Sequence, residues 1–167
     1  MNSLFSLRPL KIEDAPRMLE WLQNDSITHY MNIGGSDSSL ETVYSFIEST
    51  KDESSTLHRA IVDSNDRYLG TVSLKNIDTI RREAEYAIAM HPDGIGCSAS
   101  KVGSELILNY AFNTLGLTRV YLYVRKDNTR AIKFYRKLEI LGMKQFSPKP
   151  APNNDTASDV LWFEIYA

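Results

Sequence analysis

Ten residues, HPDGIGCSAS from His91 to Ser100, join a segment that reads as a strand, AEYAIAM, to one that reads as a helix, KVGSELILNYAF. A loop in that place leaves the first N–H groups of the helix without backbone partners and aims a partial positive charge at whatever lies before them. Gly94, Gly96, Cys97, Ser98, Ala99 and Ser100 are all small, so a phosphate can approach that backbone closely. A solvated turn before a helix accounts for the same residues, and the loop alone leaves both readings open. A dinucleotide fold fits poorly. Gly94, Gly96 and Ser98 fall short of the full glycine fingerprint, a hairpin precedes the strand, and no acidic residue closes the later VYLYV strand. A Walker loop is excluded by the missing Gly-Lys-Ser/Thr ending.

A second segment, DNTRAIKFYRK from Asp127 to Lys137, begins at the end of the following strand. Arg125, Lys126, Arg130, Lys133, Arg136 and Lys137 concentrate cations here against Asp127 alone. Arg130, Lys133 and Lys137 share one helical face, which is the pattern of a solvated stripe. Placed beside a second strand-to-helix loop, the same cations could serve a polyphosphate. Other chemistries are not encoded. His29, His58 and His91 are scattered without metal-ligand spacing, so no metal site is expected. No nucleophile-elbow sequence appears, and Cys97, within the small-residue loop, reads as a spectator thiol.

The elements that must position these segments are legible from periodicity. FSLRPL alternates as a first strand, and Met18, Leu19, Trp21 and Leu22 form an apolar stripe on a helix between Glu13 and Asn24. Ser38 with Glu41 has capping-box spacing ahead of a second helix carrying Val43, Tyr44, Phe46 and Ile47. LHRAIVD, the turn SND and YLGTVSLK predict an antiparallel hairpin, followed by the strand AEYAIAM. Val102, Leu106, Ile107, Tyr110 and Ala111 predict a helix of about four turns ending near Gly116. VYLYV is a buried strand, Asn128 caps a short helix with Ala131, Phe134, Tyr135 and Leu138 inward, and DVLWFEIY is the last strand. This order describes an α/β or α+β domain around one mixed sheet.

The chain has 167 residues, 43% of them hydrophobic, which suits one domain spanning 1–167. Nineteen Lys and Arg against 21 Asp and Glu give a net charge of -2, so neither nucleic acid nor an anionic membrane is expected as a partner. One cysteine excludes an internal disulfide, and no apolar run approaches the roughly 20 residues of a membrane span. The N-terminus lacks a signal-peptide pattern, which places the protein in a cytoplasm.

Together the two segments resemble the GNAT superfamily of acetyl-CoA-dependent N-acetyltransferases, particularly the branch of ribosomal-protein and spermidine acetyltransferases. The likeness spans nearly the whole chain, through SLRPLKIEDAPRMLEWL, YLGTVSLKNID, AEYAIAM, LNYAFNTLGLTRVYLYV and NTRAIKFYRKL. The last is similar to the family's Asn-x-x-Ala-x-x-x-Tyr, which falls on Asn128, Ala131 and Tyr135. The opening loop departs from the family's Gln/Arg-x-x-Gly-x-Gly/Ala: Ile95 stands at the first position, Ser98 at the first Gly and Ser100 at the second. Glu139, Ile140 and Leu141 stand as an insertion before Gly142, one that would lengthen the helix or reshape the acceptor side.

The resemblance implies a mixed sheet of about seven strands flanked by about four helices, and acetyl transfer from acetyl-CoA, as co-substrate, to a primary amine. It implies that the backbone at Ile88, Ala89 and Met90 binds the pantetheine, and that Ile95, Gly96, Cys97, Ser98, Ala99, Ser100 and Lys101 meet the pyrophosphate. Asn128, Arg130, Ala131 and Tyr135 would also lie against the cofactor. An amine must lose a proton before attack and the thiolate gains from receiving one. Glu85 is the expected base, against a structural role as partner to Arg81 or Arg82 or as a sheet-surface residue, and Tyr135 the expected donor to sulfur, against core packing. Trp21, Tyr30 and Glu85 are expected at the acceptor, a small-molecule amine or a protein N-terminus. A homodimer through a sheet edge is an arrangement that such folds allow. The competing expectation is a GNAT-fold binding module without turnover, motivated by Ile95, Ser98 and Ser100.

Overall fold

A computed structural model describes residues 4–29, 38–148 and 159–167. Strand β1 (Phe5–Arg8) leads through a 3-10 turn (Ile12–Asp14) into helix α1 (Ala15–Leu22). The corner is fixed by buried Asp14, which accepts two guanidinium N–H groups of Arg8 at 2.8 Å each and the Lys11 backbone N–H at 2.9 Å. Pro16 sits in the first turn of α1, where a missing N–H costs nothing. A four-residue helix, α2 (Asp25–Thr28), follows at NDSIT, where the sequence predicts only a helix end; Asn24 caps it by accepting the Ser26 N–H. Helix α3 (Leu40–Ser49) starts one residue later than Ser38 and Glu41 suggest. Ser39 and Thr42 form the reciprocal capping pair, with Thr42 N–H on the Ser39 hydroxyl at 3.3 Å and Ser39 N–H on the Thr42 hydroxyl at 3.1 Å.

The remaining elements are β2 (Leu57–Asp63), β3 (Tyr68–Asp78), β4 (Glu83–Met90), α4 (Ala99–Asn109), β5 (Arg119–Arg125), α5 (Thr129–Lys137), β6 (Lys144–Phe146) and β7 (Val160–Tyr166). The strands form one mixed seven-stranded sheet in the order β1-β2-β3-β4-β5-β7-β6. The helix that the periodicity runs to Gly116 is α-helical to Asn109 and closes through a π turn at Tyr110–Thr114. Glu139 to Leu141 lengthen α5 by a 3-10 turn that ends at Gly142, in the left-handed region at φ 103°.

Alternation along the strands sorts the core into two layers. Ile61, Val72, Leu74, Tyr86, Val120 and Leu122 pack with Ile107 of α4 and Tyr135 of α5 on one face. Ala60, Val62 and Tyr68 pack with Met18, Trp21, Val43 and Ile47 of α1 and α3 on the other. Helix α4 lies close against the sheet because Gly103 carries no side chain; a Cβ there would come within 2.5 Å of Ile61 Cδ1.

One pairing is parallel, that of β4 with β5, and it is short: Glu83, Ala84 and Glu85 pair with Arg119, Val120 and Tyr121. Beyond it β4 continues antiparallel to β3 as far as Met90 with Gly70, while β5 continues along β7 as far as Arg125 with Val160. The sheet therefore parts between Tyr86 and Leu122, and among the described residues β4 keeps one edge without a ladder partner over its second half.

Candidate active site

A cavity of about 1150 Å³ occupies this parting of the strands. Thr71, Ser73 and Lys75 of β3 and Glu85, Ala87 and Ala89 of β4 face it from the α1/α3 side of the sheet, and Tyr86, Ile88 and Tyr135 line it as well. Residues that alternate to opposite faces can share one cavity only where a strand edge is open, as it is here. Glu85 marks the last paired position. It stands opposite Lys75 on β3 and Tyr121 on β5. Burial lifts its carboxyl above the usual glutamate range, while the charge of Lys75 and a hydrogen bond from Asn76 pull it partly back. Among the described residues no ion pair joins Glu85 to Arg81 or Arg82, and Arg82 donates its Nε to the Gly116 carbonyl at 2.8 Å.

Tyr135 enters from α5, positioned by the cap in which Asn128 Oδ1 accepts the Ala131 N–H at 3.2 Å. Its ring meets Tyr86 edge to face at 6.1 Å and Phe163 at 5.8 Å. The phenol is only 8% exposed, and burial raises its pKa so that it stays protonated. Its hydroxyl has no hydrogen-bond partner among the described residues, yet no described side-chain oxygen or nitrogen is sealed without one. The hydroxyl is therefore open to the cavity. Tyr86 differs, since its hydroxyl is shared with Ser104 at 2.6 Å.

Trp21 lines the cavity from α1, with its indole N–H already donated to the Tyr68 hydroxyl at 2.9 Å. Tyr30 lies outside the described residues. Asn128 borders the cavity, whereas Met90, Arg130, Ala131 and the loop from Ile95 to Lys101 do not line it. That loop runs from the end of β4 to the start of α4. Gly96 adopts φ +85° with open space where a Cβ would point, and Ile95 is exposed. Ser98 precedes α4 with φ −80° and ψ 6°, and its side chain makes no cap. The one left-handed residue of the loop is thus Gly96, and serine at 98 carries no backbone strain. The opening N–H groups of α4 have no side-chain cap, and β4 leads directly into the loop before them. Cys97 is exposed and its thiol contacts the Gly94 carbonyl at 3.4 Å.

Two groupings escaped the sequence reading. His91, 4% exposed, accepts the Asp93 N–H on Nδ1 at 3.0 Å and so donates from Nε2 to Glu20 at 2.5 Å, while Arg17 bonds Asp93 and the Tyr68 carbonyl. These contacts hold α1 against the start of the loop. Within the cavity, His58 shares a 2.6 Å hydrogen bond with Ser73, its cross-strand partner, and Phe46 stands edge-on to the imidazole at 5.0 Å. The alternation of Thr71, Ser73 and Lys75 carried the signal, but polar residues at every second position read equally as a solvent face.

A family model described as an acetyltransferase (GNAT) domain matches residues 5–141. Spermidine N(1)-acetyltransferase of Escherichia coli (strain K12) is 30% identical over 132 residues, covering 79% of this chain and 70% of that protein. Among solved structures, spermidine N-acetyltransferase from Vibrio cholerae in complex with CoA and spermine superposes with a TM-score of 0.81 at 23% identity, covering 99% of this chain and 96% of that one. A dodecameric structure of the Vibrio cholerae enzyme gives a TM-score of 0.73 at 23% identity, covering 99% and 95%.

Proposed function

Because the chain belongs to the GNAT acetyltransferase family and transfers an acetyl group from acetyl-CoA to an amine, we propose that Glu85 and Tyr135 carry that transfer in the cavity where β4 and β5 part. The observation that carries this reading is that the two side chains, from a strand and a helix on different faces of the sheet, border one cavity.

Acetyl-CoA supplies the activated thioester. The free edge of β4 at Ile88, Ala89 and Met90 offers the backbone groups of an unpaired strand to an extended, amide-bearing pantetheine. The loop after Ile95, from Gly96 through Cys97 and Ser98, and the uncapped start of α4 at Ala99, Ser100 and Lys101 offer N–H groups and helix-dipole charge to the diphosphate, whereas the Ile95 N–H is spent on the Pro92 carbonyl. Asn128 borders the cavity, and Arg130 and Ala131 follow it on the first turn of α5. Glu85, kept proton-hungry by burial, takes the proton of the incoming ammonium directly or through water. As the amine nitrogen bonds the thioester carbonyl carbon and the carbon–sulfur bond breaks, Tyr135 gives its hydroxyl proton to the leaving sulfur. Positioning both reactants in the one cavity supplies most of the acceleration.

The reading of an inactive binding module rested on Ile95, Ser98 and Ser100. Ordinary backbone at Ser98 and an open Gly96 support a loop that still admits a phosphate. The acceptor is a primary amine, on a small molecule or a protein N-terminus, and spermidine, named for the Escherichia coli relative, is the first to try. Among the described residues no helix is long and apolar enough to cross a membrane. The cytoplasm is the proposed compartment, and the dodecameric relative supports self-assembly. The test is calorimetric titration of acetyl-CoA followed by thiol release with a panel of amines. Acetyl-CoA binding with amine-dependent release is expected, and binding without release on any amine would overturn the proposal.

A further inference from the structure

Acetyl transfer takes two protons from the acceptor nitrogen, since an ammonium carries three and the amide keeps one. Glu85, the base proposed above, accepts the first and is then occupied. The second stays on the nitrogen, now bonded to the carbonyl carbon, until another acceptor within reach removes it. The floor of the cavity holds a pair suited to that task. Ser73 of β3 and His58 of β2 are cross-strand partners, both line the cavity, and the Ser73 hydroxyl lies 2.6 Å from His58 Nδ1. Ser73 is 4% exposed, and its partner on the other side is Ala87, whose methyl leaves the floor low beside the hydroxyl. Glu85 stands one pair further along the same two strands, opposite Lys75. Such a diagonal spans about 7–8 Å between Cα atoms and less between side chains. A nitrogen held over Ala87 thus has Glu85 on one side and Ser73 on the other.

The imidazole is in a state to accept. Burial first, then the charges of Lys75 and Arg59, lower its pKa, so the ring is neutral at pH 7. Of those charges, Arg59 is paired with Glu53 at 2.7 Å, and Lys75 faces Glu85 across the strands. Phe46 fixes the ring edge-on at 5.0 Å. Nε2 has no hydrogen-bond partner among the described residues, and no described side-chain nitrogen is sealed without one, so Nε2 is open to water.

We infer that Ser73 and His58 form the second proton acceptor of the transfer, Ser73 meeting the nitrogen and His58 acting through it. In the tautomer protonated on Nε2, Nδ1 accepts the Ser73 hydroxyl. The nitrogen gives its second proton to the Ser73 oxygen while the hydroxyl proton passes to Nδ1, and the electron pair of the broken N–H bond stays on nitrogen. The imidazolium then sheds a proton to water through Nε2. The proton held by Glu85 restores the Tyr135 hydroxyl spent on sulfur, so one proton in all is released for each acetyl group moved. The inference rests on the proposed function and deepens it.

The experiment compares Ser73→Ala, His58→Gln and the double variant with the parent, by thiol release with spermidine and with 2-phenylethylamine. Each single variant should lower kcat by at least about tenfold, with acetyl-CoA affinity by calorimetry within about twofold of the parent. The double variant should be no more than about twofold slower than the slower single one, because members of one relay do not add. Ser73→Thr, which keeps the hydroxyl, should hold kcat within about threefold of the parent. Imidazole buffer gives a readout that a packing role would not move: at fixed pH and ionic strength, concentrated imidazole should raise kcat of Ser73→Ala at least about threefold and leave the parent level. Should the thermal midpoint show Ser73→Ala unfolded, the same titration of His58→Gln decides. Full kcat in the folded variants, or a lowered kcat that imidazole does not raise, overturns the inference and leaves the acetyltransferase reading intact. Acetyl-CoA binding with no thiol release from the parent on these or any other amine of the panel overturns both.

Discussion

Tyr135 stands edge-on to Tyr86, ring centroids 6.1 Å apart and planes at 84°. The contact joins the helix that follows β5 to the strand that β5 has just left. Tyr86 is itself fixed through Ser104 on α4, so α4, β4 and α5 all fix the place of the Tyr135 phenol that opens on the cavity.

Tyr135→Phe should therefore keep the ring in place and remove the proton donor alone. Turnover is expected to fall about a hundredfold, while acetyl-CoA affinity by calorimetry and the thermal midpoint change little. An unaltered rate would take Tyr135 out of the chemistry.

Glu85→Gln should separate activity from stability. The folded carboxyl holds its proton to higher pH than an unfolded glutamate does, so its burial weighs against folding increasingly as pH rises through the folded pKa. The variant should lose turnover by about a hundredfold yet melt higher than the parent at pH 7, with the gain vanishing toward about pH 4.

Gly96 and Ser98 make opposite demands. Gly96→Ala puts a Cβ on a left-handed residue and should cost about 1 kcal/mol in urea unfolding, with weaker acetyl-CoA binding as the loop relaxes. Ser98→Gly relieves nothing, because Ser98 already has negative φ, and calorimetry should show no gain in affinity.

His58 gives the fold an acid limit. Desolvation, Lys75 and Arg59 lower its pKa in the folded protein, so the unfolded chain binds more protons as pH falls. The stability this represents is complete above about pH 6.5 and is lost as pH falls through the folded value. Unfolding midpoints between about pH 8 and 5 should show that loss, and His58→Gln should flatten the profile.

Where a residue's neighbours are near in sequence, the reading succeeded. The hairpin, the Asn128 cap and the strand-loop-helix at Met90 to Ala99 follow from local pattern. The α3 cap slipped by one residue because Ser38 and Ser39 are both competent, and Thr42 serves where a Glu is the more familiar partner. The proposed catalytic pair was named through the family resemblance, and the hydrophobic pattern of α5 alone would have left Tyr135 in the core. Lys75, Ser73 and His58 stayed hidden because a polar stripe on a strand looks the same whether it faces water or a cavity, and the α1/α3 layer that decides between them is distant in sequence. The network of Arg17, Glu20, His91 and Asp93 spans more than seventy positions for the same reason.

The bare edge of β4 has a consequence for life without ligand. Unpaired N–H and C=O groups in a row are a template for another chain, and an extended pantetheine seated there would close it. Heated empty, the protein should form intermolecular β-structure sooner than when coenzyme A is in excess, so the metabolic state of the cell would act on the solubility of the protein as well as on its turnover.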